Sequence, residues 1–247
     1  MNNFTVKWFK HKSLAKTTVI LGVPGIGNIS HICTDYLKTK IGAELVCKFY
    51  SKYLPNMVVI NNDSTVDFPC FNVYLKNKVL IIISNYQPKD SIDSYEFASM
   101  LVDFLKKERV SEIVTLAGIG YKEPPSKIVL HASASNESVV KRLKRYKELV
   151  FDGAKSVALI IGLSGLAVGF AKEKGINSFS VLAPTWAHPS HVGIKESKVV
   201  LSFLAKYLDL SIDFADLNKE IKKLNEEVKK LTKESIEEDR QKSMYIG

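Results

Sequence analysis

The chain has 247 residues, 46% hydrophobic and 25% charged, which excludes a disordered chain, a collagen-like chain and a disulfide mini-protein. Its net charge is +9; residues 211–247 hold eight basic and nine acidic residues, so the excess (27 basic against 17 acidic) belongs to the body. A basic body favours an acidic partner, but lysine-rich proteins without one share this balance, and nucleic-acid binding is not expected.

Strand-like and helix-like segments alternate along the chain. Thr17–Val23 (TTVILGV) is a β-branched run that stops at Pro24-Gly25. Met57–Ile60 and Phe71–Leu75 are short strand candidates around the polar loop Asn61–Thr65. Val79–Ile83 (VLIII) is the most apolar run and reads as a strand buried on both faces. Tyr95–Lys107 places Phe97, Met100, Leu101, Phe104 and Leu105 at helical spacing. Ile113–Ala117 and Ile128–Ala132 are further strands, and Glu137–Tyr146 is a helix. Leu166–Lys174 is a helix closed by Gly175, Ser178–Ala183 a strand, and Ser197–Leu208 a last helix of the body. This alternation predicts a three-layer α/β/α fold with a mostly parallel sheet.

The C-terminal part differs. Phe214, Leu217, Ile221, Leu224, Val228 and Leu231 are spaced three and four apart, a heptad seam among Lys and Glu. Such a narrow stripe is expected to pack along another helix, in a homo-oligomer, rather than lie on its own domain. The expected organisation is thus a domain over 1–210, an amphipathic helix over 211–234 and a mobile tail over 235–247.

No apolar run reaches the roughly 18 residues of a membrane span. The opening MNNFTVKWFKHKS lacks a signal-peptide core, so a cytoplasmic protein with no membrane partner is expected. The cysteines, Cys33, Cys47 and Cys70, are odd in number and form no CxxC pair, which favours free thiols.

Three glycine-containing segments follow strands or open helices: Gly22-Val23-Pro24-Gly25-Ile26-Gly27-Asn28, Ala117-Gly118-Ile119-Gly120 and Gly162-Leu163-Ser164-Gly165. In a parallel sheet the loops after the strands share one edge, so Gly25, Gly27, Gly118, Gly120, Ser164 and Gly165 are candidates to line one ligand crevice. The first segment is neither a dinucleotide fingerprint nor a P-loop, and Ser164 does not sit in a nucleophile elbow. His188 and His191 lie three apart on a Pro-containing loop, with no carboxylate or cysteine recognised to complete a metal site. The run Lys141-Arg142-Leu143-Lys144-Arg145-Tyr146-Lys147 reads as a solvated helix face with Leu143 and Tyr146 turned inward. No catalytic set, metal site or cofactor is expected. The alternative is a hydrolase, phosphorylase-like or nucleotide-binding enzyme that uses the glycine loops.

The order of these motifs resembles the proteasome assembly chaperone family, and most of all its archaeal homologues. The resemblance rests on GVPGIGN near the start, YQPKDSIDSYEFASMLVDFL, TLAGIG, GLSGLAVGFAKEKGI, the strand ending LAPT at Leu182–Thr185, and a C-terminal helix after LDLSIDFADL, together spanning about residues 15–232. It implies a nucleoside-phosphorylase-like α/β domain without catalytic activity, forming oligomers and binding the α-subunits of the 20S proteasome as an assembly chaperone or activator. It also implies docking through a C-terminal hydrophobic–Tyr–any-residue tail whose carboxylate pairs with a lysine. Here Met244-Tyr245-Ile246 fits that motif and Gly247 extends it by one residue, which moves the carboxylate roughly 3.5 Å from its place relative to the ring.

Overall fold

The computed structural model describes residues 3–219 and 221. In chain order these form β1 (Thr5–Trp8), β2 (Thr18–Gly22), α1 (Ile29–Lys40), β3 (Glu44–Tyr50), β4 (Val59–Ile60), β5 (Val66–Asp67), β6 (Phe71–Lys76), β7 (Val79–Ile83), α2 (Ser91–Lys107), β8 (Glu112–Tyr121), β9 (Leu130–Ala134), α3 (Glu137–Leu143), β10 (Leu149–Val150), α4 (Leu163–Glu173), β11 (Asn177–Trp186) and α5 (Ile194–Tyr207). The described residues up to Ser211 make one compact unit, and those from Ile212 on belong to a second.

The first unit is a mixed α/β fold. Nine of the described strands form one sheet in the order β1-β3-β6-β7-β2-β8-β11-β9-β10, and β4 and β5 pair separately as a small hairpin. The four central strands β7, β2, β8 and β11 run parallel, as the alternation of strands and helices requires. On one side β6, β3 and β1 extend the sheet antiparallel; on the other, β9 runs antiparallel to β11.

Burial follows the two-residue period of the strands. Val19 and Leu21 of β2, Leu80 and Ile82 of β7 and Ile113 of β8 join Phe97, Leu101, Leu105, Leu163 and Ala167 of α2 and α4 in one core cluster. Ile20 and Ile81, the intervening residues, are equally buried but lie outside that cluster, on the face where α1 and α5 pack together. Helices therefore cover both faces of the sheet. All five residues of β7 are buried, as its sequence predicts. Buried aromatic contacts tie the layers together: Phe71 stacks on Phe97 with centroids 4.7 Å apart, and Phe104 meets Phe49 edge-on at 5.0 Å.

Two helices are fixed at their starts by side-chain caps. Asp90 accepts from the Asp93 backbone N–H at 2.9 Å and Asn136 from that of Val139 at 3.0 Å. Gly175 closes α4 with φ +71°, the left-handed conformation that suits glycine after a helix.

The structure corrects one expectation. The segment Ala117-Gly118-Ile119-Gly120 is not a loop after β8 but part of it, because β11 is long enough to pair with it through Trp186 and Tyr121. It also adds four strands that the sequence pattern does not predict, β1, β3, β5 and β10.

In the second unit, residues 215–219 are helical, with the Asn218 N–H bonded to the Phe214 carbonyl at 2.9 Å. Leu217 is buried, and Phe214 and Ile221 are half-buried. The other seam positions, Leu224, Val228 and Leu231, and the tail residues Met244, Tyr245, Ile246 and Gly247 lie outside the described residues.

Candidate functional site

The C-terminal ends of β2 and β8 stand side by side in the sheet, and the segment before α4 comes over them. Together they enclose a crevice of about 520 Å³, lined by Val23–Ile26, Ser30, Gln87, Leu116–Gly120, Val157, Leu159–Ser164 and Leu182. It lies at the strand ends of an open parallel sheet, where such folds place ligands. Among the predicted crevice residues, Gly25, Gly118, Gly120 and Ser164 line it; Gly27 and Gly165 do not, though each follows a lining residue in the chain.

The glycines serve close packing. A Cβ on Gly118 would stand 2.4 Å from the Ile26 carbonyl oxygen, and one on Gly165 would stand 2.1 Å from the Ile160 carbonyl oxygen. Gly27 combines φ +65° with Thr185 Oγ1 at 2.8 Å from the place of its missing Cβ. Gly25 differs: its backbone is extended, and nothing lies within 4 Å of a Cβ there. The turn Ile26–Asn28 therefore rests directly on the far half of β8, with Gly118 and Gly120 as the contact points.

The polar groups of the crevice are turned to the protein itself. Ser164 Oγ donates to the Leu116 carbonyl at 3.2 Å. Ser30 Oγ donates to the Leu21 carbonyl at 3.1 Å and accepts from the Val23 N–H at 3.3 Å. The Gln87 amide donates to the Pro24 carbonyl. Ser164 thus anchors the start of α4 to β8, and the hydroxyl is bonded to a carbonyl rather than to a base. The remaining lining is mostly apolar, with Ile26, Leu159 and Ile161 exposed at 46%, 77% and 89%. The apolar run Val157–Ile161 was not recognised as part of the site; its signal is a run of apolar residues ending at Gly162, yet it forms no strand.

Behind the Ile26–Asn28 turn lies a polar cluster that sequence reasoning also missed. Thr185 Oγ1 donates to Glu196 Oε1 at 3.0 Å, His191 Nε2 is 3.1 Å from the same oxygen, and Glu196 Oε2 is buried without a hydrogen-bond partner. The Gly193 N–H donates to the Gly27 carbonyl at 2.8 Å and ties the 188–193 loop to the turn. Glu196 is thus the carboxylate near His191 that the spacing of the histidines did not reveal. His188 goes elsewhere: its ring stacks on Trp186 at 4.4 Å and Nδ1 pairs with Ser190 Oγ at 2.7 Å. Among the described residues, no three His, Cys, Asp or Glu side chains converge as a metal site.

The basic run at 141–147 is built into the fold. Leu143 and Tyr146 are buried, and Arg142 pairs with the buried Glu112, which also accepts from the Tyr207 hydroxyl. Burial first, and then the Glu112 carboxylate, push the Tyr207 phenol above its ordinary value. Burial likewise raises the Cys33 thiol, and pushes Cys47 up to about 12 with help from the Glu108 charge. No helix among the described residues is long and apolar enough to cross a membrane.

Comparison with known proteins places this architecture. An uncharacterized protein of Methanocaldococcus jannaschii is 23% identical over 206 residues, covering 81% of this chain and 77% of its own length. Among solved structures, Pyrococcus furiosus PbaB, described as an archaeal proteasome activator, superposes with a TM-score of 0.85 at 24% identity, covering 94% of this chain and all of that one. Pyrococcus furiosus PbaA, described as an archaeal homolog of proteasome-assembly chaperone, gives a TM-score of 0.78 at 22% identity, covering 99% of this chain and all of its own. The sequence model of the PAC2 family matches residues 19–232, a span that takes in the crevice and the sheet apart from β1 and the first residue of β2. The family match covers the motifs from GVPGIGN to LAPT, and the chain belongs to the PAC2 family.

Proposed function

We propose that this protein is a non-catalytic, homo-oligomeric, cytoplasmic protein that binds the 20S proteasome through its α-subunits, as an assembly chaperone or an activator. Membership of the PAC2 family carries this reading, because it spans nearly the whole body of the chain. The likeness of fold to PbaB and PbaA supports it, and so does the commitment of Ser30, Ser164 and Gln87 to backbone partners, which suits a packed binding domain better than a reacting site. In this reading the Phe214–Leu231 seam joins subunits, and Met244, Tyr245, Ile246 and Gly247 form the docking tail.

One aromatic side chain and one carboxylate form a small contact, so a single tail binds at about millimolar strength, near −4 kcal/mol. Several tails on one oligomer raise this by about 10²–10⁴ through effective concentration. The test is co-sedimentation of the purified protein with 20S cores and with isolated α-subunits, comparing wild type with Tyr245→Ala. Binding that is lost in the variant, with mass and fold unchanged, supports the tail; no binding to either partner refutes the function. For the enzyme alternative, calorimetric titration with ATP and Mg²⁺ distinguishes the two: binding tighter than about 100 μM (about −5.5 kcal/mol) together with turnover would overturn the binding-protein reading.

A further inference from the structure

A second concave surface shares no lining residue with the glycine crevice. It has a volume of about 560 Å³ and is lined by Leu54, Pro55, Met57, Val58, Phe68 and Pro69, with Lys52 and Lys89 on its rim. Exposed large apolar side chains concentrate here: Met57, Val58, Ile60, Val66 and Phe68, within twelve residues of chain, are 47–75% exposed. Grouped apolar surface of this kind marks an interaction site more often than scattered residues do.

The segment that presents these side chains is held in shape by its polar residues. In the β4–β5 hairpin the Asn61 amide donates to Thr65 Oγ1 at 3.0 Å and to Asp67 Oδ2 at 3.2 Å, and Asp63 Oδ1 accepts from the Thr65 N–H at 3.0 Å and its hydroxyl at 2.6 Å. The Asn61 N–H closes the turn onto the Thr65 carbonyl at 2.8 Å. Every hairpin carboxylate is thus occupied inside the turn, while the apolar side chains stand outside it. A surface fixed before binding loses little conformational freedom when a partner arrives.

Charge selects the partner. Among the described residues neither Lys52 nor Lys89 forms an ion pair, and no carboxylate lines the pocket. Lys52 Nζ stands 5.2 Å over the Tyr53 ring, and neither ammonium is neutralised by a carboxylate among the described residues; two such cations beside an apolar hollow are complementary to an apolar side chain flanked by carboxylates. The hollow shape suits an inserted side chain better than a flat lipid surface. We propose that this pocket and the hairpin beside it dock an acidic segment with apolar anchors from a partner protein.

The test is an array of random decapeptides probed with the full chain. The expected captured sequences are enriched in Asp and Glu next to Leu, Ile or Phe. The strongest of them, fluorescein-labelled and titrated by anisotropy, should bind about tenfold or more weaker to Lys52→Glu/Lys89→Glu and to Met57→Ser/Phe68→Ser. Added salt should weaken wild-type binding. Circular dichroism confirms the fold of these surface variants, and Ile161→Ser, which alters the other crevice, should bind as wild type. Captured sequences without acidic and apolar enrichment, or unchanged affinity in both double variants, would overturn the proposal. So would pelleting with phosphatidylserine vesicles in the absence of peptide capture, which would assign the surface to a membrane. None of these measurements involves the proteasome, so the outcome is independent of the function proposed above.

Discussion

Replacing Gly118 with Ala tests whether the glycines of the crevice exist for close packing. The added carbon would stand 2.4 Å from the Ile26 carbonyl oxygen and 3.0 Å from Thr185 Cγ2, where ordinary contact begins at 3.4 Å. The Ile26–Asn28 turn must therefore retreat by about 1 Å, and it is backbone held by the Gly193–Gly27 hydrogen bond, so it cannot yield as a side-chain tip would. Overpacking of this kind costs about 1–3 kcal/mol. For a chain of this length each kcal/mol lowers Tm by about 2–4 °C, so a fall of about 2–12 °C is expected by calorimetry. Gly25→Ala is the control: with nothing near its Cβ, it should remain within about 0.5 kcal/mol of wild type. A Gly118→Ala protein as stable as wild type, or a Gly25→Ala protein equally damaged, would refute the packing argument and return these glycines to a ligand-binding role.

Three other measurements follow from the geometry and the sequence pattern. Glu44 accepts from Lys12 and Lys10 at 2.9 and 3.0 Å, which holds its carboxyl near 2 instead of 4.5. Its contribution to stability is present above pH 4.5 and is lost as the pH falls toward 2; an NMR titration should show the low midpoint, and Lys12→Met should raise it. Buried Cys33 and Cys47, both with raised thiols, should resist a thiol reagent at pH 8 in the native protein while the less buried Cys70 reacts first, with all three labelled in denaturant. Finally, Leu224→Asp/Leu231→Asp places two charges in the proposed subunit seam, where each lost apolar side chain is worth about 1.5–3 kcal/mol; light scattering should show a lower mass, and an unchanged mass would mean that the stripe does not join subunits.

The sequence was most legible where the apolar positions of a segment keep one period throughout. VLIII reads as a strand buried on both faces because it is wholly apolar, and in FASMLVDFL the apolar positions keep helical spacing while Asp103 falls on the exposed side. β3 was hidden by a bulge between Leu45 and Cys47, which breaks the two-residue period, and by Lys48 on a strand near the sheet edge. β8 was cut short because Gly118 and Gly120 resemble a loop unless the pairing partner β11 is known to continue. The meeting of Gly25, Gly118, Gly120 and Ser164 at one crevice was legible only in part: parallel strands end on one edge, but Gly118 and Gly120 reach the crevice from within β8 rather than from a loop. Glu196 was not: it looks like an ordinary charge in the first turn of α5, and only the fold brings His191 and Thr185 onto the same oxygen.

The strand order also determines when the sheet can close during synthesis. β2 is made early but has its two neighbours in β7 and β8, so its second edge stays open until residue Glu112 and beyond have emerged. At roughly 5–20 residues per second that is a wait of several seconds or more. β8 waits in turn for β11, about 65 residues further on, since Ile113 pairs with Ser178. The β6–β7 hairpin, by contrast, needs only the tight turn at Asn77 and can form at once. β2, already made, can dock on VLIII as soon as this hairpin forms, and the nascent chain then holds the other apolar edge of β2 unpaired until β8 emerges. Such an edge invites pairing with other chains, so the yield of this protein should depend on temperature and expression rate more than the stability of its finished core would suggest.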